Sequence, residues 1–127
     1  MATINAVGDD FEKLVLETPI LFVDFWAEWC GPCKMFGPIF EDASEKYPEI
    51  VFAKVDTEME RELAAAAGIS SIPTLMAFRE GILLYREAGA LPAASLEELI
   101  TAIKAVDMES VKREVAAQES AGVTESQ

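Results

Sequence analysis

The sequence contains no histidine and only two cysteines, which excludes most metal sites and every disulfide framework. An ordinary structural zinc site needs four Cys or His ligands, and one chain of this composition cannot supply them. Two chains could share a metal cluster through two cysteine pairs, which we keep as a minor alternative. The sequence therefore predicts no metal site within a single chain.

Basic residues are also scarce. The 127 residues include 10 Lys and Arg against 23 Asp and Glu, which gives a net charge of −13. Nucleic acids and anionic membranes both attract basic surfaces, so we expect neither as a partner. The simplest interpretation of the negative charge is that it keeps the protein soluble. A second interpretation is that it favours partners with basic surfaces.

Long apolar runs are absent as well. No run approaches the roughly 18 apolar residues that a membrane-spanning helix needs. Residues 1–10 have neither a basic region nor a long apolar core, so they do not form a secretory signal, and we expect a cytoplasmic protein. Hydrophobic residues make up 51% of the chain, which is enough for the core of one domain.

The two cysteines, Cys30 and Cys33, are three residues apart between a predicted strand and a predicted helix. Thiols with this spacing beside a βαβ pattern are typical of a thiol–disulfide redox site. The N-terminus of a helix offers unpaired N–H groups and partial positive charge, which favour a thiolate. A structural disulfide is disfavoured, because a bridge over two residues constrains the unfolded chain very little.

Hydrophobic periodicity predicts the order β-α-β-α-β-α-β-β-α, a mixed sheet with helices on both faces. We expect Asp9 or Asp10 to cap the first helix, and Ser95 with Glu98 to form a capping box at the last. Gly68 should end the third helix in the left-handed conformation. The predicted strands are 20–27, 50–56, 74–79 and 82–87, with helices at 31–46 and 58–67 between them. Glu80-Gly81 predicts a tight turn between the last two strands.

The apolar stripe of the last helix goes out of phase at Asp107, which predicts a break there. Asp107 can cap a separate short helix, with Val106 and Val111 as a hydrophobic staple. The composition of residues 119–127 predicts a disordered end. We therefore divide the chain into a domain at 1–106 and a C-terminal extension at 107–127.

Four motifs stand in order along residues 3–106: VDFWAEWCGPCK at 23–34, KVD at 54–56, GISSIPT at 68–74 and GAL at 89–91. They resemble those of the thioredoxin family. The resemblance implies an α/β thioredoxin fold, with a central mixed five-stranded sheet flanked by four helices and, here, a short C-terminal helical extension. It also implies that no cofactor is bound and that the redox group is a disulfide between Cys30 and Cys33.

The predicted chemistry begins with Cys30 as an exposed nucleophile and Cys33 as a more buried resolving thiol. Asp24 lies inside an apolar run, so burial should raise its pKa and suit it to accept a proton at neutral pH. In the family, the matching carboxylate lies beneath the dithiol, and Lys54 matches the lysine close to it. The alternative is that Asp24 faces solvent from an edge strand.

The resemblance also implies a surface where client proteins bind. Ile72 and Pro73 match a cis-proline loop that packs on the dithiol, and Ile72 would offer its backbone to an extended client segment. Ser70 stands where relatives often have a larger or charged residue, which affects client preference. The remaining substrate-binding residues implied are Trp29, Gly31, Pro32, Gly89 and Ala90.

The resemblance implies a monomeric reductase that acts on disulfides in client proteins. A thioredoxin reductase, an NADPH-dependent flavoprotein, would then reduce it again. Gly31-Pro32 matches the reductant version of the motif, since related oxidants and isomerases usually carry a histidine there. Two alternatives stay open at this point: a disulfide oxidase or isomerase, and a non-catalytic interaction module.

Overall fold

The computed structural model of the chain describes residues 2–125, with side chains up to Ser120. Strands and helices follow the predicted order β-α-β-α-β-α-β-β-α, with one further helix at the end. The strands are β1 (Ile4–Asn5), β2 (Ile20–Trp26), β3 (Val51–Asp56), β4 (Thr74–Arg79) and β5 (Ile82–Ala88). The helices are α1 (Gly8–Glu17), α2 (Gly31–Lys46), α3 (Arg61–Ala66), α4 (Ala93–Ala105) and α5 (Met108–Glu125).

The strands form one mixed five-stranded sheet in the order β1-β3-β2-β4-β5. The strands β1, β3 and β2 are parallel, β4 runs antiparallel to β2, and β5 runs antiparallel to β4. The central strand β2 is buried on both faces, which explains its nearly continuous apolar sequence. The predicted fold class is confirmed.

The sheet separates two apolar cores. Because side chains alternate along a strand, Phe22 of β2 points into one core and Val23 into the other. The Phe22 core is closed by α2 and α4, through residues such as Phe36 and Ile100. The Val23 core is closed by α1 and α3. Asp24 shares the face of Phe22, so it lies on the side of the sheet that α2 covers.

The predicted caps of α1 and α4 are wrong. Helix α1 begins at Gly8, and the Gly8 N–H donates to Glu60 Oε1 at 2.8 Å, so a distant carboxylate replaces a local cap. Asp9 and Asp10 lie in the first turn instead. Helix α4 begins at Ala93 after Pro92, whose carbonyl accepts the N–H of Leu96, and Ser95 is therefore inside the helix.

Helix α3 is shorter than the predicted 58–67. Asp56 Oδ1 accepts the N–H groups of Glu58 and Met59, at 2.9 Å and 3.3 Å, and this Asx turn delays the start of the helix to Arg61. Gly68 has a φ of 68°, so the left-handed residue predicted after this helix is confirmed. The tight turn predicted at Glu80-Gly81 is also present, with positive φ at both residues.

The predicted break at Asp107 is confirmed. Helix α4 ends at Ala105 and α5 begins at Met108. Asp107 Oδ1 accepts the N–H groups of Glu109 at 3.1 Å and Ser110 at 3.3 Å, as expected of an N-cap residue.

The first turns of helix α5 contact the rest of the fold, whereas the side chains at 116–120 are all exposed. Met108 is buried, and Lys112 forms an ion pair with Glu80 in the β4–β5 turn. The helix continues to Glu125, into the segment at 119–127 for which the composition predicts a disordered end, and that disorder stays a prediction. Good helix formers at 116–119 favour helix up to the start of this segment, and residues 126 and 127 lie outside the described part. In the described part of the chain, no helix is both long enough and apolar enough to span a membrane.

Candidate active site

The two cysteines lie at the carboxyl end of β2, where the chain turns into α2. Cys30 is the N-cap residue of α2, and Cys33 lies in the first turn. A disulfide joins them, with 5.2 Å between their Cα atoms. The backbone N–H of Cys33 donates to Cys30 Sγ at 3.2 Å. The same N–H and the positive end of the helix dipole would stabilise a Cys30 thiolate after the disulfide opens.

The structure does not distinguish the cysteines by burial. Cys30 is 4% exposed and Cys33 is 5% exposed, so the expectation of an exposed Cys30 above a more buried Cys33 is wrong for this oxidised state. The disulfide draws both sulfurs into one small cluster, against which Trp26 and Ile72 pack. A difference in access between the two thiols therefore requires the disulfide to open.

The Ile72–Pro73 peptide bond is cis, as the motif predicts. It brings the carbonyl oxygen of Ile72 to 3.7 Å from Cys30 Sγ. A disulfide sulfur carries no hydrogen, so this is a packing contact rather than a hydrogen bond. The Gly89 N–H donates to the Pro73 carbonyl at 2.8 Å, which places Gly89 beside the loop. Ala90 is half-buried and packs on the Phe22 core.

Asp24 is buried, with 1% of its surface exposed. In the described structure, neither carboxylate oxygen has a hydrogen-bond partner. Burial raises the pKa of Asp24 to about 7, and the positive charge of Lys54 opposes that rise. The alternative of a solvent-facing Asp24 on an edge strand is wrong, because β2 is paired on both sides.

Lys54 lies opposite Asp24 in the register of β2 and β3. Its Nζ lies 4.7 Å from the centre of the Trp26 ring, a cation–π geometry. Lys54 also lines an open pocket of about 380 Å³ that reaches Cys33. Protons and water thus have access to the Cys33 side of the disulfide through a pocket with a lysine in its wall. The other lining residues are Trp26, Ala27, Glu28, Lys34, Gly37, Pro38 and Glu41.

The rim of the site is exposed and mostly apolar. Trp29 is 68% exposed, and Gly31 and Pro32 beside it are exposed as well. A Cβ added to Gly31 would meet no atom within 4 Å, so packing does not require a glycine there. A side chain at position 31 would therefore fit without a clash, so this position can affect the dithiol without disturbing the fold.

Sequence reasoning missed Thr57, which holds the strand beneath the dithiol. Its N–H and its Oγ1 both donate to the carbonyl of Trp26, at 2.9 Å and 3.0 Å. The residue fixes the end of β2 just before the turn to Cys30. No local signal identifies it, because a threonine after a strand is an ordinary turn residue.

Within residues 2–125, no group of three or more His, Cys, Asp or Glu side chains is placed to hold a metal ion. The redox group of the site is the Cys30–Cys33 disulfide itself.

Comparisons with known proteins agree with this geometry. The family model described as thioredoxin matches residues 2–102. A Streptomyces coelicolor protein assigned as thioredoxin 2 is 47% identical over 119 residues, which cover 94% of this chain and 89% of that protein. A match of that length extends into α5. Thioredoxin-1 of Saccharomyces cerevisiae is 37% identical over 94 residues, which cover 74% of this chain and 91% of that one.

Solved structures show the same similarity in three dimensions. A thioredoxin from Malassezia sympodialis superposes with a TM-score of 0.73 at 33% identity, over 81% of this chain and 91% of that one. A mutant thioredoxin from Halobacterium salinarum has a TM-score of 0.75 at 27% identity, over 83% of this chain and 93% of that one.

Proposed function

We propose the role of each site residue in this chain, which belongs to the thioredoxin family and is a thiol–disulfide oxidoreductase that reduces protein disulfides. Cys30 is the attacking thiolate. It attacks one sulfur of a client disulfide, the client S–S bond breaks, and a mixed disulfide forms while one client thiolate leaves. The observation that carries this assignment is the Cys33 N–H bound to Cys30 Sγ at the N-terminus of α2.

Cys33 completes the reaction. Its thiolate attacks Cys30 Sγ, the mixed disulfide breaks, and the Cys30–Cys33 disulfide forms as the second client thiol leaves. Two electrons pass from the dithiol to the client. We propose Asp24 as the group that accepts the Cys33 proton, with Lys54 stabilising the resulting carboxylate. A pKa of about 7 for Asp24 supports this role, because an efficient base has a pKa close to the working pH.

The client binds across the exposed rim and the cis-proline loop. Trp29, Gly31 and Pro32 form the exposed rim beside the disulfide. The Ile72 carbonyl next to Cys30 Sγ supports a role for this backbone in pairing with an extended client segment. The Gly89 N–H donates to the Pro73 carbonyl, and this hydrogen bond supports the cis-proline loop at which the client segment would pair. Ala90, which is half-buried, adds only its outer edge.

The wider setting is also part of the proposal. The oxidised protein is reduced again by a thioredoxin reductase, an NADPH-dependent flavoprotein, and the protein works as a monomer in the cytoplasm. The exposed Trp29 beside the disulfide supports one part of this proposal, a single face that serves both the clients and the reductase.

The cysteine variants test the mechanism directly. With dithiothreitol as reductant and a protein that has an accessible disulfide as substrate, Cys30→Ser should abolish turnover. Cys33→Ser that has been reduced, freed of dithiothreitol and then mixed with the same substrate should accumulate a mixed disulfide that mass spectrometry detects. Full activity of either variant would contradict the assignment. A biological role retained by the double serine variant would instead support a non-catalytic interaction module.

The reduction potential separates a reductase from an oxidase or isomerase. The pair can be equilibrated in dithiol buffers and followed by tryptophan fluorescence, because Trp26 and Trp29 adjoin the disulfide. We expect a potential well below that of the glutathione pool, so that electrons flow towards client disulfides. A potential well above it would identify an oxidant or isomerase.

A further inference from the structure

The guanidinium of Arg86, on β5, forms two hydrogen bonds with backbone carbonyls at the carboxyl end of α3. Its Nη1 donates to the carbonyl of Ala67 at 2.6 Å, and its Nη2 donates to the carbonyl of Gly68 at 2.7 Å. The last carbonyls of a helix lack partners within the helix and carry partial negative charge. A guanidinium suits them because it is planar and has donors in a fixed fork. The contact therefore fixes residues 67 and 68 against the sheet.

The segment that follows leads directly to the dithiol. We define the docking loop as residues 68–73, which run from the left-handed Gly68 to the cis-proline Pro73. The Ile72 carbonyl in this loop lies 3.7 Å from Cys30 Sγ. Ser70 and Ser71, between the two ends, are exposed. The position of the loop thus decides where the Ile72 backbone stands relative to the reacting sulfur.

Strand β5 and the residue that follows it hold both ends of the docking loop. Arg86 binds its first residue, and the Gly89 N–H binds the carbonyl of its last, Pro73. Between these points, the Ile69 N–H donates to the Ala64 carbonyl at 3.0 Å, which joins the loop to α3 as well. The Gly89 contact comes from the backbone, whereas the Arg86 contact depends on one side chain. A single substitution at Arg86 can therefore loosen the first end of the loop, which the backbone bond from Ile69 still joins to α3.

We propose that Arg86 is a positioning residue that sets the docking loop for pairing with an extended client segment. The inference rests on the proposed function, because it assigns a role in client binding at the same site. Arg86 acts through the backbone of residues 67–72 and has no part in the thiol chemistry. A loop that is already ordered needs less ordering when the client binds, so affinity for protein clients rises.

The substitution Arg86→Ala should raise the KM for a protein disulfide by about fivefold, in line with the loss of two charge-assisted hydrogen bonds from an exposed group. The kcat and the reduction potential should stay unchanged. The rate with a small aromatic disulfide should also stay unchanged, because such a substrate does not pair with the loop. Arg86→Lys keeps the positive charge but cannot bind both carbonyls in the bidentate geometry of a guanidinium. Its KM should therefore lie between those of the wild-type protein and Arg86→Ala.

Hydrogen exchange gives a readout that does not depend on catalysis. In Arg86→Ala, the amide protons of Gly68 and Ile69 should exchange faster, because their bonds to the Ala65 and Ala64 carbonyls lie in the loosened segment. The matched control is Arg113→Ala, which removes an exposed arginine from α5 and should change neither KM nor exchange.

Two results would overturn the inference. One is an unchanged KM or unchanged amide exchange in Arg86→Ala. The other is an equal loss of rate with the protein and the small disulfide, which would place the effect in the dithiol or the fold. If the wild-type protein did not reduce the protein disulfide, the proposed function would fail instead. The exchange rates would then decide alone whether Arg86 orders the loop.

Discussion

Asp24 and Lys54 lie opposite each other on the parallel strands β2 and β3, yet no hydrogen bond joins them in the described structure. The lysine Nζ lies over the Trp26 ring instead. The carboxylate therefore loses its hydration on folding and gains no hydrogen bond in return, only the electrostatic attraction of Lys54. Burial outweighs that attraction, and the pKa of Asp24 rises to about 7.

The raised pKa of Asp24 makes stability depend on pH. The unfolded chain releases this proton near the ordinary pKa of 3.8, whereas the folded protein retains it up to about pH 7. Between these values the free energy of unfolding falls as the pH rises, and above pH 7 the whole cost applies. At about 1.4 kcal/mol per pKa unit, that cost reaches roughly 4 kcal/mol.

We therefore expect Asp24→Asn to raise the free energy of unfolding of the oxidised protein by a few kcal/mol at pH 8 and by much less near pH 4. Urea unfolding at both pH values measures this, and the same variant should slow client turnover. The control Asp42→Asn changes an exposed aspartate on α2 and should show no such pH dependence. An equal effect of Asp24→Asn at both pH values would contradict the prediction.

Lys54 lowers the pKa of Asp24, so Lys54→Met should raise that pKa above 7. A ¹³C NMR titration of the Asp24 carboxyl group measures the shift, and the pH profile of client reduction should move to higher pH. Lys34 lines the same pocket, and Lys34→Met removes the same charge from a position that does not govern Asp24. A larger shift in Lys34→Met than in Lys54→Met would show that a different lysine acts on the carboxylate.

Asp107 caps α5, so Asp107→Ala should lower the free energy of unfolding by about 1 kcal/mol. The loss follows from two N–H groups, those of Glu109 and Ser110, that no longer have their acceptor. Asp107→Asn keeps a side-chain oxygen and should retain most of the stability. Urea unfolding compares the three proteins, and an equal loss in both variants would argue against capping as the cause.

Arg79 closes the carboxyl end of α4. Its Nη1 donates to the carbonyls of Ile103 at 3.1 Å, Lys104 at 3.2 Å and Val106 at 3.2 Å, a shared donor at a helix terminus. Arg79→Met should therefore cost about 2 kcal/mol, since the bonds are charge-assisted. Thermal unfolding measures this. Arg61→Met, which removes an exposed ion pair with Glu58, should cost close to nothing.

The sequence predicted the features that depend on a few neighbouring residues. The buried strand β2 follows from its apolar run, and the Glu80-Gly81 turn follows from glycine between two strands. The break at Asp107 follows from the phase of the apolar stripe. In each case the residues that form the element are also the residues that stabilise it, so the local pattern was sufficient.

The sequence failed where a distant residue replaces a local one. The N-terminus of α1 uses Glu60 as an acceptor from across the fold, so the aspartates that look like caps do not act as caps. The burial of Cys30 was also missed, although the resemblance places the Ile72–Pro73 loop on the dithiol, because the motif does not say how much of each sulfur the loop covers. The Glu60 contact leaves no trace in the sequence around Gly8.

The sequence by itself therefore determined the type of chemistry, a dithiol redox site. It did not determine the pKa values and loop contacts that adjust this chemistry. Two thiols three residues apart at a strand–helix turn determine a dithiol redox site, because spacing alone brings the sulfurs together. The pKa of Asp24 depends on burial, and the hydrogen bonds from Arg86 to the start of the docking loop depend on contact between separate elements. Such effects arise only when the chain folds, since desolvation and long-range hydrogen bonds do not exist before the elements pack.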